Sequence, residues 1–215
     1  MLEFTGHGML SLPMSLFCLL WLPFFYLFWR VLSGNKIFSG GVWALVMGSI
    51  VAMLQFFLGS FFDPEGFGLS RLINGFVDII TLPALLPFFI YSLLIAFRVI
   101  TGNIDFVGFA LLWLIPSGAI RAFSWSSQSD PVHMVLIPLL WTSIAVGLPF
   151  FAGLFRYRRV YVIFPACLGL LLVPFAATCA YWAFYAQKAI WGFLFLMVAA
   201  TPMLVATIIS FIRAE

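Results

Sequence analysis

The chain has 215 residues, 65% of them hydrophobic and 8% charged, with a net charge of +3. Soluble domains are roughly half apolar and about a quarter charged, and no water-soluble fold of this length has an interior large enough to hide so much apolar surface. That excludes a globular protein in water, leaves no stretch for a separate soluble domain, and ties the few cations to membrane orientation, with no nucleic acid partner implied.

The first eight residues carry Glu3 and no basic residue, unlike the start of a cleavable leader, so the first apolar stretch is read as a permanent span. A span needs about 20 mainly apolar residues. Reading between charged or turn-rich breaks predicts spans at 9–29, 38–62, 76–97, 104–122, 133–155, 160–185 and 189–212. The fold class is therefore all-α: one polytopic transmembrane domain over 1–215 with seven helices.

Span one introduces a motif, Leu22-Pro23-Phe24-Phe25, that returns as Leu86-Pro87-Phe88-Phe89 and Leu148-Pro149-Phe150-Phe151 at nearly equal spacing. A period of that size fits one membrane hairpin with its loops. Arg30-Val31-Leu32-Ser33-Gly34-Asn35 is matched by Arg98-Val99-Ile100-Thr101-Gly102-Asn103, and the third copy keeps Arg159-Val160. The separation from Pro87 to Arg98 recurs from Pro202 to Arg213. The expected arrangement is three helical hairpins, 9–62, 76–122 and 133–185, followed by a single helix at 189–212.

Span two carries Gly40, Ala44, Gly48 and Ala52, a small residue at every fourth position. Lipid gives helices no hydrophobic reason to associate, so such a groove supplies close backbone contact instead. Gln55, further along the same span, is read as a hydrogen-bonding residue across helices. Span three opens with Asp78 and with Asn74 one turn earlier on the same face. An acidic group at membrane depth is costly and tends to be an ion ligand or proton relay, whereas one at the rim is solvated by headgroup water. Asp78 has no basic partner within its own span, which favours the rim.

In span four, the stretch Phe106 to Pro116 resembles a multi-span family in which Gly-Tyr precedes the proline. Leu111-Leu112 stand in that place here, so no family property is carried over. Prolines stud the spans: Pro13, Pro23, Pro83, Pro87, Pro116, Pro138, Pro149, Pro165, Pro174 and Pro202. Each removes a backbone donor and leaves a carbonyl for a neighbour or water. After span five, Arg156, Arg158 and Arg159 form a basic cluster suited both to fixing topology and to contacting anionic lipid. Cys18, Cys167 and Cys179 lie in apolar stretches without metal or disulfide spacing.

Of the ten basic residues, Arg30, Lys36, Arg98, Arg156, Arg158, Arg159 and Arg213 fall on one side and Arg71, Arg121 and Lys188 on the other. The positive-inside bias then predicts a cytoplasmic C-terminus and an outside N-terminus. His7 and His133 are too few and too scattered for a zinc or haem site. No catalytic residue, metal site or cofactor is expected. The expected role is a non-enzymatic structural or accessory subunit, in a bacterial inner membrane, whose partners are lipid and other membrane proteins or further copies of itself. The alternative is a channel or transporter for a neutral or lipid-like small solute.

Overall fold

The computed structural model describes residues 7–33, 40–59, 76–100, 105–124, 131–155, 159–186 and 188–214. Among these residues the chain is helical, without strands. The helices are α1 (His7–Ser33), α2 (Gly41–Gly59), α3 (Val77–Ala96), α4 (Phe106–Ser124), α5 (Pro131–Leu154), α6 (Val160–Tyr185) and α7 (Ala189–Ala214). Helix is the form a single apolar segment must take in lipid, because it satisfies its own backbone groups. Five of them, α1, α3, α5, α6 and α7, are long and apolar enough to cross a membrane, while α2 and α4 are apolar but shorter by the same measure. Five such helices point to an integral membrane protein.

The first nine residues of α3, Val77–Leu85, are wound as a π-helix, and Leu86 N–H still bonds five residues back to the Thr81 carbonyl. Pro83 lies inside this wider winding and Pro87 just after it. The helix then ends in a left-handed residue, Arg98 (φ 55°). Phe97 and Arg98 donate to the Leu93 and Ile95 carbonyls, and Val99 closes back on Leu94. This is the Schellman arrangement, whose left-handed seat glycine usually fills, because a Cβ there costs about 1 kcal/mol.

Two helices lie inside the bundle. Residues 107–114 of α4 and 140–147 of α5 are buried without interruption, so neither helix presents an outward stripe at that level. Phe109, Trp113 and Trp141 are the largest fully buried side chains there. Helices α1 and α2 both pack on α4; α6 and α7 pack on each other and on α5. Thus α2 has α4, and not its chain neighbour α1, as its main partner.

Side-chain contacts also fix directions. Gly48 faces Trp113, while Gln55 and Arg121, each about two turns further on, meet at Asp78, so α2 and α4 run the same way. Asp78 meets Arg121 at one end of α3, and Tyr91 packs on Phe109 (4.9 Å between ring centres) at the other, so α3 runs opposite to α4.

The three Leu-Pro-Phe-Phe segments sit in different surroundings. Phe24 is exposed and Phe25 buried, Phe88 and Phe89 are both exposed, and Phe150 and Phe151 are both half-buried. The motif recurs in sequence; its environment does not.

Candidate functional site

The polar residues of the bundle converge where α2, α3, α4 and α5 meet. The starting point is Pro83. In π winding a carbonyl is bonded by the N–H five residues later, and for Asp78 that residue is Pro83, which has no N–H. The Asp78 carbonyl is thereby freed, and the indole N–H of Trp141 on α5 donates to it at 2.7 Å. A proline in one helix has its missing donor replaced by a tryptophan in another.

The carboxylate of the same residue is held by two further helices. Its Oδ2 lies 2.7 Å from an Arg121 guanidinium nitrogen on α4, and its Oδ1 accepts a 3.0 Å hydrogen bond from the Gln55 amide on α2. Arg121 also lies over the Trp141 ring, 5.1 Å from its centre. The side chains of Arg121 and Asp78 are 24% and 22% exposed, so the pair is partly withdrawn from its surroundings. At that depth the charge of each is matched by the other, and Gln55 occupies a further lone pair of the carboxylate.

The adjacent residue of α5 extends the junction. Thr142 is fully buried, and its hydroxyl accepts a 3.3 Å bond from the Trp21 indole of α1. That hydroxyl also lies within hydrogen-bonding distance of the carbonyls of Pro138 and Leu139. Cys18 on α1 contacts the Gly118 carbonyl of α4 at 3.6 Å. Five helices are therefore joined by side chains within about two turns of one level.

Of the residues singled out in the sequence, Gln55 and Asp78 are brought into direct contact. Asn74 lies outside the described residues. Gly40, Ala44, Gly48 and Ala52 are all buried, on the α2 face toward α4. At Gly48 an added Cβ would collide with the backbone of Trp113, whose Cα and carbonyl carbon would lie 3.1 Å away. Of the basic cluster, Arg156 and Arg158 lie outside the described residues. Arg159 is exposed and donates to the Tyr161 hydroxyl at 2.6 Å, and it makes no contact with Asp78 among the described side-chain bonds.

Arg121, Trp141, Thr142 and Trp21 were not among the sequence candidates. Arg121 had a legible signal: it stands within span four, one residue from its predicted outer end, as Asp78 stands near the outer end of span three. Opposite charges at one level on consecutive spans are a pairing signal. Trp141 had none beyond the proline five residues after Asp78.

No protein-family model, curated protein or solved structure matches this chain.

Proposed function

We propose that the chain is a non-enzymatic, seven-pass integral membrane protein of a bacterial inner membrane, acting as a structural or accessory subunit that packs with partner membrane proteins or organises lipid. The observation that carries this reading is the engagement of Asp78. A transport carboxylate must be open to its ion or proton along a watered path. Asp78 is instead neutralised by Arg121, bonded by Gln55 and fixed through its own carbonyl by Trp141. Elsewhere on the bundle the outward residues are apolar: Phe57 on α2, Phe88 on α3, Phe175 on α6 and Ile212 on α7 are all more than half exposed. Such faces require lipid or another membrane protein.

Seven passes are supported by helix length. At about 1.5 Å per residue, the 19 residues of α2 and of α4 reach about 28 Å, close to the ~30 Å hydrocarbon core. The opposed directions of α3 and α4, and the shared direction of α2 and α4, agree with alternate crossings. The orientation with the C-terminus in the cytoplasm rests on the basic asymmetry, seven Lys and Arg against three. Single cysteines at Ser33 and Gly102 should then react only with reagents that enter the cytoplasm, and those at Gly66 and Ser127 from outside. Labelling of Gly66 and Gly102 from one side contradicts both.

The second reading, a channel or transporter for a neutral or lipid-like solute, is favoured by the π segment, since such winding is frequent at functional sites. Extraction in mild detergent, followed by size measurement and identification of co-purifying molecules, separates the two. A stoichiometric protein partner is the expected result; a lone monomer carrying a small molecule favours transport.

A further inference from the structure

We propose that Arg98 binds the phosphate of an anionic lipid headgroup at the end of α3; the proposal rests on reading the chain as an integral membrane protein. Arg98 holds the left-handed seat of the cap, and among the described residues it is the one non-glycine residue with positive φ. The cap itself is complete: the carbonyls of Leu93, Leu94 and Ile95 are bonded by the N–H groups of residues 97–100. Ile100 is buried in the core and anchors the turn from within. Phe97 and Val99, on either side of Arg98, are 76% and 44% exposed. The arginine is exposed between these two apolar residues and makes no ion pair among the described residues.

Two ordinary roles for a cation do not account for this seat. A positive charge near a helix C-terminus complements the dipole from any position in the last turn, without left-handed backbone. A topology-setting charge acts from anywhere in a short loop. Glycine would hold the same turn without a Cβ clash, and a glycine does stand four residues on, at Gly102. Placing the guanidinium here, at the end of a 20-residue apolar helix and flanked by a phenylalanine and a valine that face outward, sets it at the boundary between tails and headgroups. A planar guanidinium with unused donors matches two phosphate oxygens at once. The occupant is an anionic phospholipid, since the flanking apolar residues provide for acyl chains that a free phosphate lacks.

The test titrates the detergent-solubilised full chain with short-chain phosphatidylglycerol and with phosphatidylcholine. Arg98→Gly should keep or raise the thermal midpoint while lowering affinity for phosphatidylglycerol about fivefold, the equivalent of about 1 kcal/mol for one interfacial charge. Affinity for phosphatidylcholine should not change, and Arg98→Lys should retain part of the preference. Equal phosphatidylglycerol affinity in Arg98→Gly overturns the proposal. So does competition by free glycerol phosphate at the concentrations where the lipid binds, which would mark a soluble ligand. Arg98→Asn, also tolerant of left-handed backbone, repeats the test; if both it and Arg98→Gly fail to fold, the arginine is a folding residue and the proposal falls. Release of the chain from membranes by alkaline carbonate overturns the membrane reading itself, independently of either titration.

Discussion

Around α4, where α1, α2, α3 and α5 meet, helices are joined by side chains that reach across: Asp78 to Arg121, Gln55 to Asp78, Trp141 to the Asp78 carbonyl, Trp21 to Thr142. Around α6 and α7 the buried surface is largely small and apolar, with Val173, Ala176, Ala177, Ala180 and Ala199 in one cluster. The threonine hydroxyls there, of Thr178, Thr201 and Thr207, turn back to carbonyls of their own helices. Both regions bury a cluster of apolar side chains, but they are specified differently. In lipid an apolar face meets tails about as well as it meets another helix, so smooth packing alone selects weakly among rotations. A cross-helix polar contact selects strongly, because leaving either group unpaired is costly. The α4 region therefore holds the register of the bundle, and the α6–α7 region follows it through shape.

That contrast is open to direct attack. The largest effect is expected at glycines, and it should differ between regions. At Gly48 a methyl group meets the Trp113 backbone, which cannot turn aside, so Gly48→Ala should cost about 3 kcal/mol and sharply lower the yield of folded protein. At Gly169 of α6 the obstacle is the ring of Phe151, half-buried and able to rotate, so Gly169→Ala should cost about 1 kcal/mol. Equal losses at the two sites would remove the distinction.

Next in size is the ion pair. Arg121→Gln leaves Asp78 charged and without its counter-ion. Because both side chains keep about a quarter of their exposure, the loss should be about 2 kcal/mol, below the range for a fully buried pair. Adding Asp78→Asn should recover part of it, and thermal unfolding in detergent reads the difference. Additive losses would mean that the two charges act independently.

The smallest and sharpest test concerns the indole. Trp141→Phe removes the donor to the Asp78 carbonyl and should cost about 1–2 kcal/mol. In a Pro83→Ala background the backbone supplies its own N–H, so the hydrogen-bonding part of the cost should vanish. The rest, from volume and the Arg121–ring contact, should stay. An undiminished cost would show that Pro83 is not what frees that carbonyl.

Much of this was legible beforehand, for physical reasons. Helix ends follow loop chemistry and composition, so Val160–Tyr185 and Ala189–Ala214 begin where the breaks at Arg159 and Lys188 put them. Gln55 and Asp78 stood out because polar groups are rare in the spans. What stayed hidden depends on how helices face one another. Apolar sequence does not encode which neighbour α2 chooses, and hairpin connectivity suggested α1 where the structure has α4. Arg121 enters the sequence reading only as a charge that sets orientation, although its level on span four already opposes Asp78. The π segment combines Pro83 with a distant indole donor, and only the proline is a local signal.

The central claim is that the Asp78–Arg121 pair is a structural clasp and not part of a transport path. Its most direct test is the double variant Asp78→Asn with Arg121→Gln, expressed as the sole copy in cells of the source organism and purified for thermal unfolding. Both charges are then absent while shape is nearly kept. The account predicts a folded protein, less than about 2 kcal/mol below the original, that sustains the cells as the unaltered chain does. A protein that is equally well folded and yet fails to sustain them would contradict the clasp and assign the charges to transport.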